Sequence, residues 1–330
     1  MTTLWDTSGT SVVKALAAER RLAGSVSSGL ALTLVAVVDE NLVAEAEQAA
    51  TRAAAQHPCR LLVVVRRRPD APEPRLDAEV SVGGRLGPGE AVVMRMYGRL
   101  ALHAESVVLP LLAPDAPVVT WWFGEPPHLI AHDPLGVIAD RRITDAAAAA
   151  DPLAALRTRG GDFAPGDTDL AWARTTLWRS LCASAFDALS GDVEAVEVSG
   201  EATNPSRALL AGWLGGRLGV DVTVEDSPGP GVTGVRLAVG GQEVRLTRTD
   251  GRTATMSRTG QPDRALPLPR RDLGDLLAEE LRRLDADETY AEALGHVTGI
   301  AGLATLSPLR THVWQDPALD SDPDPALTTS

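Results

Sequence analysis

The sequence predicts an α/β protein made of two α/β domains, each a mixed sheet flanked by helices. Three observations carry this. The apolar runs 30–38 and 60–65, rich in Val and Leu, have the length and character of strands covered on both faces. Residues 40–55, rich in Ala, Glu and Gln, supply a helix between them, in the order of a parallel βαβ unit with a right-handed crossover. The alternation restarts beyond residue 166, and 330 residues suit two domains. The predicted divisions are 1–165, 166–314 and an acidic, solvated and disordered tail at 315–330 that holds four Asp and no cation.

Each element has its own justification. Residues 11–22 set Val12, Val13, Leu16 and Leu22 beside Lys14, Glu19, Arg20 and Arg21, an amphipathic first helix. His57-Pro58 ends the helix 40–55, because Pro disfavours helix at the residue before it. Residues 76–82 and 91–97 alternate apolar and polar around a glycine-rich turn at 83–89, which predicts a hairpin. A helix over 100–112, interrupted at Pro110, and a short strand at 117–121 complete the first sheet. Asp133-Pro134 and Asp151-Pro152 mark helix starts with Pro in the first turn. The second half opens with a long helix at 169–186 and a strand at 193–198. Asn204 then caps a helix that ends at Gly219. Strands at 220–224, 234–239, 243–247 and 253–257 and a leucine-striped helix at 272–284 follow.

Charge and composition exclude several functions. With 31 cationic and 44 acidic residues the net charge is −13, against general nucleic-acid binding, which needs basic patches to displace counterions. Residues 1–165 carry 16 basic and 19 acidic groups and residues 166–330 carry 15 and 25, so the negative charge sits mainly in the second half. Lys14 is the only lysine, which nearly removes Schiff-base and phosphate-loop lysine chemistry. The longest apolar run, 29–38, is about half a membrane span, and no basic leader precedes an apolar core. Cys59 and Cys182 are isolated and lack zinc spacing. A cytoplasmic protein with reduced thiols, no membrane contact and no cofactor is expected.

The motif screen is mostly negative: no G-x-S-x-G, H-E-x-x-H, phosphate-loop or dinucleotide-binding glycine pattern occurs. His128 and His132 have helical i, i+4 spacing, but flanking prolines leave barely a turn of helix, so loop histidines are favoured over a metal clamp. Cys59, beside His57, is read as a small buried apolar residue rather than a reactive thiol. Arg66, Arg67 and Arg68 form a basic run, read as a solvated loop edge before an anion site. Ser199, Thr203, Asn204, Ser206 and Arg207 surround a strand-to-helix turn, a candidate anion site set against an ordinary capped turn. In 167–187, Arg174 falls within the stripe of Leu170, Leu177 and Leu181, where a cation must be paired or reach an interface. Trp172 and Arg179 share the opposite face, and Trp and Arg are typical interface anchors. Trp121, Trp122 and Phe123 gather a quarter of the twelve aromatics at one strand end, which suits a ligand or a packed core.

Several stretches together resemble the glucose-6-phosphate dehydrogenase assembly protein family, OpcA, of actinobacterial type. They are HPCRLLVVV (57–65), RLDAEVSVGG (75–84), SVVLPLLAPDAPVVTWW (106–122), DPLGVIADRRITDA (133–146), GDTDLAWARTTLWRSL (166–181) and NPSRALLAGWLGGRLG (204–219). The resemblance implies a non-enzymatic partner that binds glucose-6-phosphate dehydrogenase and promotes its active oligomeric state. It marks Trp121, Trp122, Arg141, Arg142, Asp169, Trp172, Arg174, Trp178 and Arg179 as a candidate partner interface. Cyanobacterial relatives are linked to redox control through cysteines, and two cysteines leave little room for such a switch here. The alternative is a sugar-phosphate-binding sensor module or a sugar-phosphate enzyme, supported by the arginine-rich loops and the Asn204 helix start; a metal-dependent hydrolase stands third.

Overall fold

The computed structural model describes residues 1–24, 29–83, 89–187, 189–248 and 250–307. A short strand β1 (Thr2–Leu4) leads into helix α1 (Gly9–Leu22), whose cap Ser8 accepts from the Ser11 N–H and which buries Val12 and Leu16. Strand β2 (Leu32–Val38), helix α2 (Val43–Ala54) and strand β3 (Cys59–Arg67) form the expected βαβ unit, with β2 and β3 parallel. Seven consecutive buried residues at the start of β3 match a strand covered on both faces. Strands β4 (Arg75–Val82) and β5 (Glu90–Tyr97) pair antiparallel as the predicted hairpin; its tip, 84–88, lies outside the described residues.

The helix predicted over 100–112 is broken into α3 (Arg99–Leu102), α4 (Glu105–Val108) and a 3-10 turn at Leu109–Leu111. His103 leaves helical geometry at φ −109°, and Pro110 offers no N–H to continue a ladder. Strand β6 (Val118–Phe123) lies parallel to β2, giving the order β1-β4-β5-β3-β2-β6 in this sheet. Helix α5 (Pro134–Val137) is capped by Asp133, and strand β7 (Arg141–Thr144) follows β6. The core beneath β3, β4 and β5 is aliphatic, built from Leu62, Val64, Leu76, Val80, Val92 and Met94 with Val12 and Leu16 of α1.

The chain divides into two units, one containing Met1–Arg142 and the other Ile143–Pro308. The sequence reading divides it at 165/166. Residues from 143 onward join the second unit because helix α6 (Pro152–Gly161), capped by Asp151, packs against helices later in the chain. Strand β8 (Asp167–Asp169) adjoins β7. The helix predicted over 169–186 is two helices, α7 (Leu170–Ala173) and α8 (Thr176–Phe186). The break falls at Arg174 and Thr175, where the Thr175 hydroxyl donates to the Trp172 carbonyl at 2.7 Å.

Strand β9 (Val193–Gly200), helix α9 (Pro205–Leu218) and strand β10 (Val222–Asp226) make a second parallel βαβ unit, with Asn204 capping α9 and Gly219 in the left-handed region ending it. Strands β11 (Val232–Val239), β12 (Gln242–Arg248), β13 (Thr253–Arg258) and β14 (Gln261–Pro267) extend the sheet as an antiparallel meander, in the order β10-β9-β11-β12-β13-β14. Helices α10 (Leu273–Arg282) and α11 (Glu288–Thr298) complete the unit. Both α6 and α9 pack on α11, around Leu156, Phe163, Trp172, Leu209, Tyr290 and Leu294. The two-domain α/β architecture stands as predicted; β1, β7, β8, β14 and α11 are additions. The predicted tail at 315–330 lies outside the described residues. No helix among the described residues is long and apolar enough to cross a membrane.

Candidate functional site

The distinctive side chains of the second unit gather around α7 and α8. A buried carboxylate needs donors, and Asp169 has several: the Thr144 hydroxyl at 2.7 Å, the Ala146 N–H at 2.9 Å and the Ala171 N–H at 2.8 Å. Burial, then the nearby charge of Asp145, pushes its pKa up to about 6 against the pull of those donors. Arg174, the cation in the apolar stripe, turns to Asp145 in a bidentate pair at 2.6 and 2.7 Å. Burial opposes its charge, but Asp145 and Asp169 outweigh that and raise its pKa.

On the other side of α7 the Trp172 indole donates to Asp287 at 2.9 Å. The second oxygen of Asp287 caps α11 through the Tyr290 N–H, also at 2.9 Å. The Arg179 guanidinium lies 3.7 Å from the centroid of the Trp172 ring, and its donors reach the Thr175 and Thr176 hydroxyls at 3.0 and 2.9 Å. Trp172 is thus pinned by a hydrogen bond, a cation and Tyr290, whose ring centroid is 6.0 Å away.

Trp178, six residues further along in α8, supports a different arginine: the Arg248 guanidinium sits 5.0 Å from its ring centroid. Both residues line a cavity of about 240 Å³ whose wall also includes Arg174, Arg270, Arg271 and the first turn of α9 at Asn204 and Ser206.

Most of the residues marked by the sequence are buried. Trp121, Trp122, Trp172, Trp178, Asp169, Arg141 and Arg142 are buried, and of the nine interface candidates Arg174 and Arg179 retain partial exposure. Trp121 packs against Phe123 with ring centroids 5.0 Å apart, and Arg142 donates to the Ala139 and Gly136 carbonyls. The structure therefore gathers Asp169, Trp172, Arg174, Trp178 and Arg179 around α7 and α8, while Trp121, Trp122, Arg141 and Arg142 belong to the first unit.

The anion candidates also separate. Asn204 and Ser206 reach the cavity wall. Ser199 faces Glu197 and Thr203 is exposed. Arg207 turns back to Asp226 and to the carbonyls of Gly200, Ala202 and Glu225. In the basic run, Arg66 makes a bidentate pair with Asp133, and Arg67 and Arg68 lie over the Tyr97 ring. His128 is exposed outside any helix, and the described residues hold no cluster of three metal-ligating side chains. Burial pushes both Cys59 and Cys182 up to about 12, away from thiolate chemistry.

Two family models meet on this chain. The glucose-6-phosphate dehydrogenase subunit N-terminal domain matches residues 50–160, and the C-terminal domain of the same subunit matches residues 165–294. The chain belongs to the OpcA family. No curated protein matches it. A solved structure described as an oxidoreductase from Sinorhizobium meliloti is 12% identical with a TM-score of 0.44, covering 82% of this chain and 95% of that one. A likeness that loose bears on neither fold nor activity.

Within this OpcA-family chain two features escaped the sequence reading. Trp5 is 68% exposed in the segment between β1 and α1, where a lone Trp outside any periodic pattern was the available signal. Arg248, Arg270 and Arg271 meet at the cavity although they lie up to 97 residues from Arg174 in sequence, and no spacing rule joins them.

Proposed function

We propose that this protein binds glucose-6-phosphate dehydrogenase and biases it toward its active oligomeric state, acting by contact rather than by catalysis, in the cytoplasm where that enzyme works. The observation that carries the reading is the match to both domains of the subunit family, in order, over 50–160 and 165–294. Physically, the chain need only bind the active form more tightly than the inactive one. A tenfold preference corresponds to about 1.4 kcal/mol, within reach of a few desolvated anchors. Trp5, the exposed tryptophan of the first unit, is an anchor of the right chemistry, and Arg174 and Arg179 retain enough exposure to contribute.

The test measures dehydrogenase activity and oligomer size at limiting enzyme, with and without this protein. Activation with co-elution is expected, and Trp5→Ala weakens it about tenfold or more without unfolding the chain. No co-elution, together with unchanged kcat, KM and oligomer size, refutes the reading.

A further inference from the structure

Four arginines line the second-unit cavity, Arg174, Arg248 and Arg271 partly buried and Arg270 exposed, and two of the four are neutralised. Arg174 is held by Asp145, and Arg271 donates to Glu279 and to the Ala173 carbonyl. The other two are not. Among the described residues neither Arg248 nor Arg270 has a carboxylate partner within ion-pair distance. Arg270 gives one donor to the Pro230 carbonyl at 2.8 Å. The Nε of Arg248 is buried without any hydrogen-bond partner. Glu201, the one carboxylate of the wall, is engaged by the Gly231 N–H at 3.3 Å rather than by either cation.

We propose that the cavity between Arg248, Arg270 and the first turn of α9 binds a phosphomonoester dianion. Two guanidiniums facing one space repel each other and carry forked donors matched to the oxygens of a phosphate. Burial, then the charge of Arg270, pulls the Arg248 pKa down to about 10, the sign of cations lacking an anion. Helix α9 meets the cavity at Asn204 and Ser206; Pro205 carries no N–H and the Asn204 side chain takes the Arg207 N–H, which leaves the Ser206 N–H as the first-turn donor. At about 240 Å³ the space exceeds a bare phosphate, and Leu177, Val232 and Leu276 leave an apolar side for the esterified group. Trp178 beneath Arg248 supplies an intrinsic reporter.

This inference does not rest on the dehydrogenase partnership, because it is tested on the full chain alone. Tryptophan fluorescence and calorimetry are recorded during titration with inorganic phosphate, glucose 6-phosphate and NADP+, with glucose as the uncharged control. Saturable binding of at least one phosphate probe, and none of glucose, is expected. Tighter binding of a sugar or nucleotide phosphate than of inorganic phosphate assigns the apolar side to the ester group, and equal binding assigns recognition to the phosphate alone. Arg248→Gln with Arg270→Gln weakens binding about tenfold or more, whereas Arg270→Lys retains part of it. The double variant removes a like-charge repulsion, so it keeps or raises the melting temperature of the free protein. No binding by any phosphate probe at millimolar concentration, or binding that survives the double variant, overturns the proposal.

Discussion

Trp172 decides between two uses of the same side chain. On a helix face beside Arg179 it has the composition of an interface anchor, yet in the fold it is 1% exposed. Trp172→Phe keeps most of the aromatic volume and removes the indole N–H, so the Asp287 oxygen at 2.9 Å loses its donor. A hydrogen bond to a charged group contributes about 1.5–3 kcal/mol. The weaker ring quadrupole under Arg179, 3.7 Å away, removes about a further 0.5 kcal/mol. Together these predict a loss of about 2–3.5 kcal/mol, or roughly 4–14 °C in the melting temperature of a unit this size. Trp172→Ala, which also opens a cavity against Tyr290, costs about 3–5 kcal/mol. The assay is thermal and urea unfolding of both variants, with dehydrogenase binding measured on folded protein at low temperature. Stability falls and the folded fraction binds normally. Unchanged stability with weakened binding would refute the reasoning, because it would place Trp172 at the partner surface.

Three further outcomes follow from buried charge and burial itself. Glu90 accepts from Arg20 at 2.5 and 2.6 Å and from the buried Arg60 at 2.7 Å. Burial alone would raise the Glu90 pKa, but these arginines hold it below its usual value. Glu90→Gln therefore strands Arg60 and costs about 3–5 kcal/mol in urea unfolding, and adding Arg60→Met recovers much of that loss. Asp169 has a folded pKa of about 6, above the unfolded 3.8, so the native state binds the extra proton. Its contribution is present below the unfolded pKa and is lost as pH rises through 6, up to about 3 kcal/mol. The measurement is melting temperature from pH 4 to 7, where Asp169→Asn abolishes this component of the slope and an unchanged slope contradicts the assignment. Cys59 and Cys182, 2% and 1% exposed, resist a thiol reagent near pH 8 in the native protein and react on unfolding; fast native labelling of either would contradict their burial.

Local patterns were legible where local physics decides. Burial on both faces made β2 and β3 readable, Asp151, Asp133 and Asn204 announced their helices as caps, and alternation marked the β4–β5 hairpin. The helix over 169–186 misled because its propensity is continuous, whereas the break at Arg174 and Thr175 coincides with a local bond from the Thr175 hydroxyl to the Trp172 carbonyl and with the tertiary Arg174–Asp145 pair. The site was half legible for the same reason. Arg174 on an apolar stripe correctly demanded a partner, but nothing in the spacing could name Asp145, 29 residues earlier.

By itself the sequence determined the α/β class, the acidic charge and the removal of lysine-based and motif-based chemistry. It also held the joint pattern of stretches by which the chain is placed in the OpcA family. These depend on residue identity and local period, which are properties of the chain before it folds. Only the tertiary structure decided that Trp172 and Trp178 are buried, that Arg174 is neutralised, and that Arg248 and Arg270 share a cavity with no carboxylate partner among the described residues. Burial and pairing are properties of where distant segments meet, and four arginines drawn from the break between α7 and α8, from β12 and from the loop before α10 become one wall only when the fold brings them together.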